Sequence, residues 1–179
     1  MASRRRYLGA MSGLLVSVSG CLSSINESTE EPTETEIKDL DYDGVPKSED
    51  DYPDNAAASK EIIDISESVT IPPTEFEPYQ ITAEKPGQIK YEAISKGGPI
   101  DIFFMDSKDY TKWQKNDGDA EYRVVLSKIN TASHSTAQLL PKGDWVLALD
   151  HTTAQTSPNA EPVDVKFNLN VGIDARDDE

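Results

Sequence analysis

Val163-Asp164-Val165-Lys166-Phe167-Asn168-Leu169-Asn170-Val171 alternates apolar and polar side chains at every step. Successive side chains of an extended chain point to opposite faces, so this segment has one dry face and one wet face. It reads as a strand that closes one side of a core. The same period of two recurs in Trp145, Leu147 and Leu149, in Tyr122, Val124 and Leu126, and in Ile100, Ile102 and Phe104. Further runs at 60–65, 68–71, 78–83, 88–95 and 131–140 bring the expected number of strands to eight or nine.

Turn residues separate these runs at intervals of about ten residues: Lys85-Pro86-Gly87, Lys96-Gly97-Gly98-Pro99, Asn116-Asp117-Gly118 and Pro141-Lys142-Gly143-Asp144. One stretch, 107–114, reads as a helical turn, with Ser107 able to cap it and Asp109 at its positive end. Short strands without interleaved helices predict an all-β fold. The expectation is a single antiparallel β-sandwich over 58–173, immunoglobulin-like or jelly-roll, followed by an acidic tail at 174–179. A segment of that length holds one core and not two.

Ahead of the sandwich the chain changes character. Ser3-Arg4-Arg5-Arg6-Tyr7-Leu8 is followed by an apolar run and then Val18-Ser19-Gly20-Cys21, which contains the only cysteine. A cationic start, an apolar stretch and small residues before a cleavage point make 1–20 an export signal. The alternative is a transmembrane helix, but 8–20 is only 13 residues, against roughly 20 needed to span a bilayer. The paired arginines resemble a twin-arginine signal, and Val-Ser-Gly-Cys resembles the lipobox of prokaryotic lipoproteins. That resemblance implies a lipid on Cys21 and tethering to the outer face of the cytoplasmic membrane. Two acyl chains, at about 0.8 kcal/mol per buried methylene, would anchor it stably.

With Cys21 consumed, no thiol remains for a disulfide. His134 and His151 are the only histidines, which excludes a blue-copper site and a cysteine-rich zinc site. The chain carries 17 basic and 33 acidic residues, a formal charge of −16. Losing the three arginines of 1–20 makes it −19. Such an excess opposes binding to nucleic acid. Together with the signal and lipobox, it resembles the secreted proteins of halophilic archaea. The plainer alternative is an ordinary acidic secreted protein.

Residues 21–57 are rich in acids, Ser, Thr and Pro and poor in large apolar side chains. They read as a linker, with 22–38 a disordered stalk extended by its own charge. Asn26-Glu27-Ser28 fits the N-glycosylation pattern. Within the linker, acids fall at loop positions 1, 3, 5 and 12 of 39–50, with glycine at position 6. Alternate oxygens turned inward around a sharp glycine turn are how a chain wraps calcium. Over 39–54 the stretch resembles the thrombospondin type 3 repeat. The resemblance implies Asp39, Asp41, Asp43, the Val45 carbonyl and Asp50 as ligands. Tyr42 stands where that family often has glycine, and Lys47 where it usually has an acid; the positive charge of Lys47 implies weak affinity. An acidic linker that gathered aspartates by composition is the alternative.

Three ordered segments, starting at Gly87, Pro99 and Leu140, are similar to the small sandwich domains appended to secreted peptidases and to Golgi-dynamics-type β-domains. That resemblance implies adhesion, spacing or ligand binding, with no site residue carried over. Ser133-His134-Ser135 and Asp150-His151 are the only places for a hydrolase triad, and neither lies in a recognised motif. The expectation is no catalysis, with both histidines at turns or on the surface. Phe104, Tyr110 and Trp113 read either as a sugar platform or as packing at the sandwich edge. Asp101, Asp106, Asp109, Asp117 and Asp119 offer oxygens for a second calcium site. The partner at the cell surface is then a protein or a carbohydrate. A solute-capturing component of a transporter and an accessory subunit of a membrane complex are the rival readings.

Overall fold

The structure, a computed structural model, describes residues 39–116, 118–152 and 161–176. Eight strands run in chain order: β1 (Lys60–Ile71), β2 (Phe76–Ala83), β3 (Gly87–Lys96), β4 (Ile100–Asp106), β5 (Lys128–Thr131), β6 (Ser133–Leu140), β7 (Gly143–Asp150) and β8 (Val163–Ile173). Helix α1 (Ser107–Gln114) and one 3-10 turn (Val124–Leu126) lie between β4 and β5. The fold is all-β, as the alternation requires.

The strands form two four-stranded sheets, β1-β8-β3-β6 and β2-β7-β4-β5. Every pairing is antiparallel, and β1 pairs with β8, β2 with β7, β3 with β6 and β4 with β5. That nesting is one long hairpin rolled up on itself, the jelly roll, and it decides between the two sandwiches expected. Both inner faces supply the core, with Phe167, Tyr91, Leu169, Phe104, Leu147 and Ile102 each at most 1% exposed. Rings pack the core between and within the layers: Tyr79 of one sheet lies 4.3 Å from Phe167 of the other, and within one sheet Phe104 stacks on Trp145 at 5.3 Å.

Strand β8 keeps the polar face read from its sequence, with Asp164, Lys166 and Asn168 exposed. Strands β4 and β7 do not, being buried on both faces. Helix α1 lies over their outer side. Trp113 there meets Phe76 at 4.8 Å and Phe103 at 5.9 Å, so a second apolar layer forms outside the sandwich.

The structure corrects several expectations. Runs 60–65 and 68–71 are one strand, because Glu67 stays in register opposite Phe167 and its carboxylate accepts the Tyr79 hydroxyl at 2.7 Å. Run 131–140 is two strands, since the chain leaves β4 and joins β3 at Ala132. Tyr122, Val124 and Leu126 are not a strand. The backbone instead closes a turn, Leu126 N–H donating to the Arg123 carbonyl at 3.0 Å, so Leu126 plugs the core while Val124 and Val125 face solvent. Asp106, not Ser107, caps α1, its Oδ1 accepting the N–H groups of Lys108 at 2.9 Å and Asp109 at 2.8 Å.

Candidate metal loop and the buried acids

The loop before β1 is folded by its own carboxylates. Asp39 accepts the N–H of Tyr42 on Oδ1 at 2.8 Å and that of Gly44 on Oδ2 at 2.9 Å. Asp43 Oδ1 accepts Val45 N–H at 2.7 Å. Gly44 has φ +90°, a conformation that L side chains rarely adopt, so the sharp turn read at loop position 6 is real. Oxygens of Asp39, Asp41 and Asp43 converge within 4.8 Å of one another. Asp43 is buried, and Asp41 Oδ2 is out of water with no hydrogen-bond partner. An orphaned carboxylate oxygen is costly, and a cation offsets that cost, so these donors fit a hard divalent ion.

Asp50 lies outside that triad but close to it. Burial raises its carboxyl above the usual range, Tyr52 N–H donating to Oδ1 at 2.7 Å opposes this, and the charges of Asp43 and Asp41 raise it further. Val45 is half-buried, with its N–H held by Asp43. Arg176 reaches the same place: its guanidinium pairs with Asp174, feels Asp43 and Asp41, and its Cδ would lie 3.9 Å from a Cβ at Gly44.

This loop is joined to the sandwich rather than trailing from it. Asp51 N–H donates to the Ser59 carbonyl at 3.0 Å, the Tyr52 hydroxyl to Asn170 Oδ1 at 2.7 Å, and Ala175 N–H to Ser59 Oγ at 2.9 Å. Cys21, Asn26, the signal segment and the stalk at 22–38 lie outside the described residues.

The five aspartates considered for a second cation are not brought together. Asp106 caps α1, Asp109 pairs with Lys112 at 2.6 Å, Asp119 is exposed and Asp117 lies outside the described residues. Asp101 is wholly buried, and across the β4–β7 ladder it directly opposes Asp150, 1% exposed. Sequence reasoning did not pair these two. Asp150 accepts Thr152 N–H at 2.9 Å and the Thr152 hydroxyl at 3.0 Å, and Asp101 accepts Asn130 N–H at 2.7 Å. Burial pushes the Asp150 carboxyl up to about 6, the Thr152 bonds oppose this, and the Asp101 charge adds to it. The only advance signal was an acid at the start of one strand and at the end of another, both otherwise apolar, which antiparallel pairing brings to the same end of the sheet.

The aromatic trio is also divided. Phe104 faces the core, whereas Tyr110 and Trp113 sit on α1 over the opposite face of the same sheet, so no common platform exists. His134 points inward against Tyr91 at 5.7 Å, while Ser133 and Ser135 beside it face solvent on the other side of β6. Burial and the nearby Lys128 lower the His134 pKa. His151 is not a surface residue: it is 2% exposed, with Nδ1 3.3 Å from the Ile71 carbonyl. It is buried because its backbone zips the end of β7 to the β1–β2 connection, N–H to Glu75 and carbonyl to Thr74.

No protein-family model matches the chain, and no curated protein matches it. Among solved structures it is similar to the pre-peptidase C-terminal domain of a collagenase from Bacillus anthracis. The identity is 7% and the TM-score 0.38, over 59% of this chain and 89% of that one. That neighbour is a domain of the kind to which the Gly87, Pro99 and Leu140 segments are similar. The jelly roll rests on the strand pairing described above.

Proposed function

We propose that this protein is a lipid-anchored module of the outer face of the cytoplasmic membrane. Its jelly roll serves a non-catalytic binding or structural role. What supports the anchor is the Val18-Ser19-Gly20-Cys21 sequence after a cationic, apolar start, and what supports a module held at a distance from it is the linker's entry into the fold, where 51–59 is hydrogen-bonded to β8 and to the segment after it. That Val-Ser-Gly-Cys sequence resembles a lipobox. Among the described residues no helix is long and apolar enough to cross a membrane.

Calcium is the ion proposed for the loop, with Asp39, Asp41, Asp43, the Val45 carbonyl and Asp50 as the holding set. Its chemistry there is charge neutralisation and crosslinking. Lys47 and Arg176 both bring positive charge nearby, so affinity belongs at the millimolar end known for extracellular modules.

Cys21→Ser tests the anchor: the variant leaves the membrane fraction and appears in the medium, whereas retention in the membrane overturns the reading. Docking on a membrane complex is the second reading. It is favoured by Val124 and Val125, 77% and 66% exposed on adjoining positions of the turn before β5. Surface crosslinking that is lost in Val124→Asp/Val125→Asp supports it, and crosslinking that is unchanged argues against it.

A further inference from the structure

The outer face of the β1-β8-β3-β6 sheet carries a groove of about 880 Å³. Its floor crosses four strands, about 14 Å at a spacing of about 4.8 Å. Tyr52 and Asn55, from the loop before β1, also line it and make it more than an open sheet surface. Tyr52 is fixed in three ways. Its N–H is held by Asp50 at 2.7 Å, its hydroxyl donates to Asn170 at 2.7 Å, and its ring fills the space left by Gly172, where a Cβ would lie 2.5 Å from Cε2.

The floor is built from amides and hydroxyls held in place by one another. Asn168 accepts the Ser66 hydroxyl at 2.7 Å, Asn170 donates to Glu61 at 2.8 Å, and Asn55 donates to Gln88 Oε1 at 2.9 Å. These bonds fix the planar side chains and leave donors and acceptors over. Gln88 Nε2, the Lys90 ammonium and the Asp64 carboxylate line the groove with no side-chain hydrogen bond to other described residues.

We propose that this groove binds a short uncharged oligosaccharide, which names a ligand class for the binding module proposed above and rests on that reading. Sugar hydroxyls donate and accept at once, and so do carboxamides, which is why Gln88, Asn168 and Asn170 suit them. Tyr52 is the lining aromatic that is not buried, and its ring gives the C–H face of a sugar an apolar surface. Asp64 and Glu92 beside Lys90 leave the groove negative, which turns away uronates, sulfates and phosphates. A peptide would want an apolar anchor pocket, and the exposed Leu139, Val124 and Val125 are not among the lining residues.

The test uses the full chain on an array of neutral, acidic and amino oligosaccharides, then calorimetry with the best neutral one. Gln88→Ala/Asn168→Ala is the probe variant, since both side chains sit on the outer face and a melting curve checks its fold. Loss of two ligand-facing hydrogen bonds weakens binding by about tenfold or more. Binding confined to neutral sugars and weakened in the variant supports the proposal. No neutral sugar bound at millimolar concentration, binding of acidic sugars instead, or unchanged affinity in a folded variant each overturns it. Membrane fractionation of the same samples reads the anchor separately, so failure of one is not failure of the other.

Discussion

Replacing Asp150 with Asn isolates what a buried carboxyl does to this fold. Asp150 is 1% exposed and faces Asp101 across the ladder. Its carboxyl is raised from an ordinary 3.8 to about 6, mainly by burial. Between those values the folded chain holds a proton that the unfolded chain has released. Stability from this group is therefore complete below pH 3.8 and is lost as pH rises through 6. At about 1.4 kcal/mol per tenfold change in proton affinity, the loss by neutral pH amounts to about 3 kcal/mol. Asparagine mimics the protonated acid and can keep the bond from Thr152 N–H, so Asp150→Asn should escape most of that loss.

Urea denaturation followed by tryptophan fluorescence, at a series of pH values from 3.5 to 8 in molar salt, measures the difference between the two proteins. Salt shortens the reach of the other charges to about 3 Å, and those charges largely cancel in the difference. The stability of the variant relative to the native chain should climb by about 3 kcal/mol between acid and neutral pH. A difference that stays flat across that range refutes the reasoning, because it would mean that Asp150 titrates alike in the folded and unfolded chains.

Gly172→Ala puts a Cβ 2.5 Å from the Tyr52 ring and 2.8 Å from the Ala58 methyl. Overpacking of that kind costs about 1–3 kcal/mol, so the denaturation midpoint should fall, and an unchanged midpoint contradicts the described seam. Calorimetry in moderate salt should show weak calcium binding that Asp43→Ala abolishes; absence of heat at millimolar calcium ends the metal-loop proposal. With a formal charge of −16 and only 17 basic residues to offset 33 acids, the melting temperature should rise steeply from dilute buffer to molar salt. A flat response argues for an ordinary acidic secreted protein.

Much of the sandwich is legible in the sequence. Alternation from Val163 to Val171 gave the inner and outer faces of β8 correctly, because a strand's period of two is a local property. Turn glycines and prolines placed the β2–β3, β3–β4 and β6–β7 connections for the same reason. The pattern misled at Tyr122, Val124 and Leu126, where three apolar residues in alternation met no partner strand and closed a turn. On β4 and β7 the positions between the alternating ones, Phe103, Met105, Val146 and Ala148, are apolar as well, and helix α1 lies over that side; what the pattern did not show is which element covers it.

The candidate site divides along the same line. Asp39, Asp41, Asp43 and Gly44 converge through contacts of a few residues, so their spacing in the chain was enough to find them. Asp101 and Asp150 are 49 positions apart and meet only because β4 lies beside β7. His151 is buried by bonds to residues 74 and 75 that no local pattern announces. Composition and periodicity thus fixed an all-β sandwich with a carboxylate loop at its entrance, because those features depend on neighbours in sequence. The choice of jelly roll, the opposed acids and the groove under Tyr52 were decided by which strand pairs with which, a property of long-range contacts that alternation cannot encode.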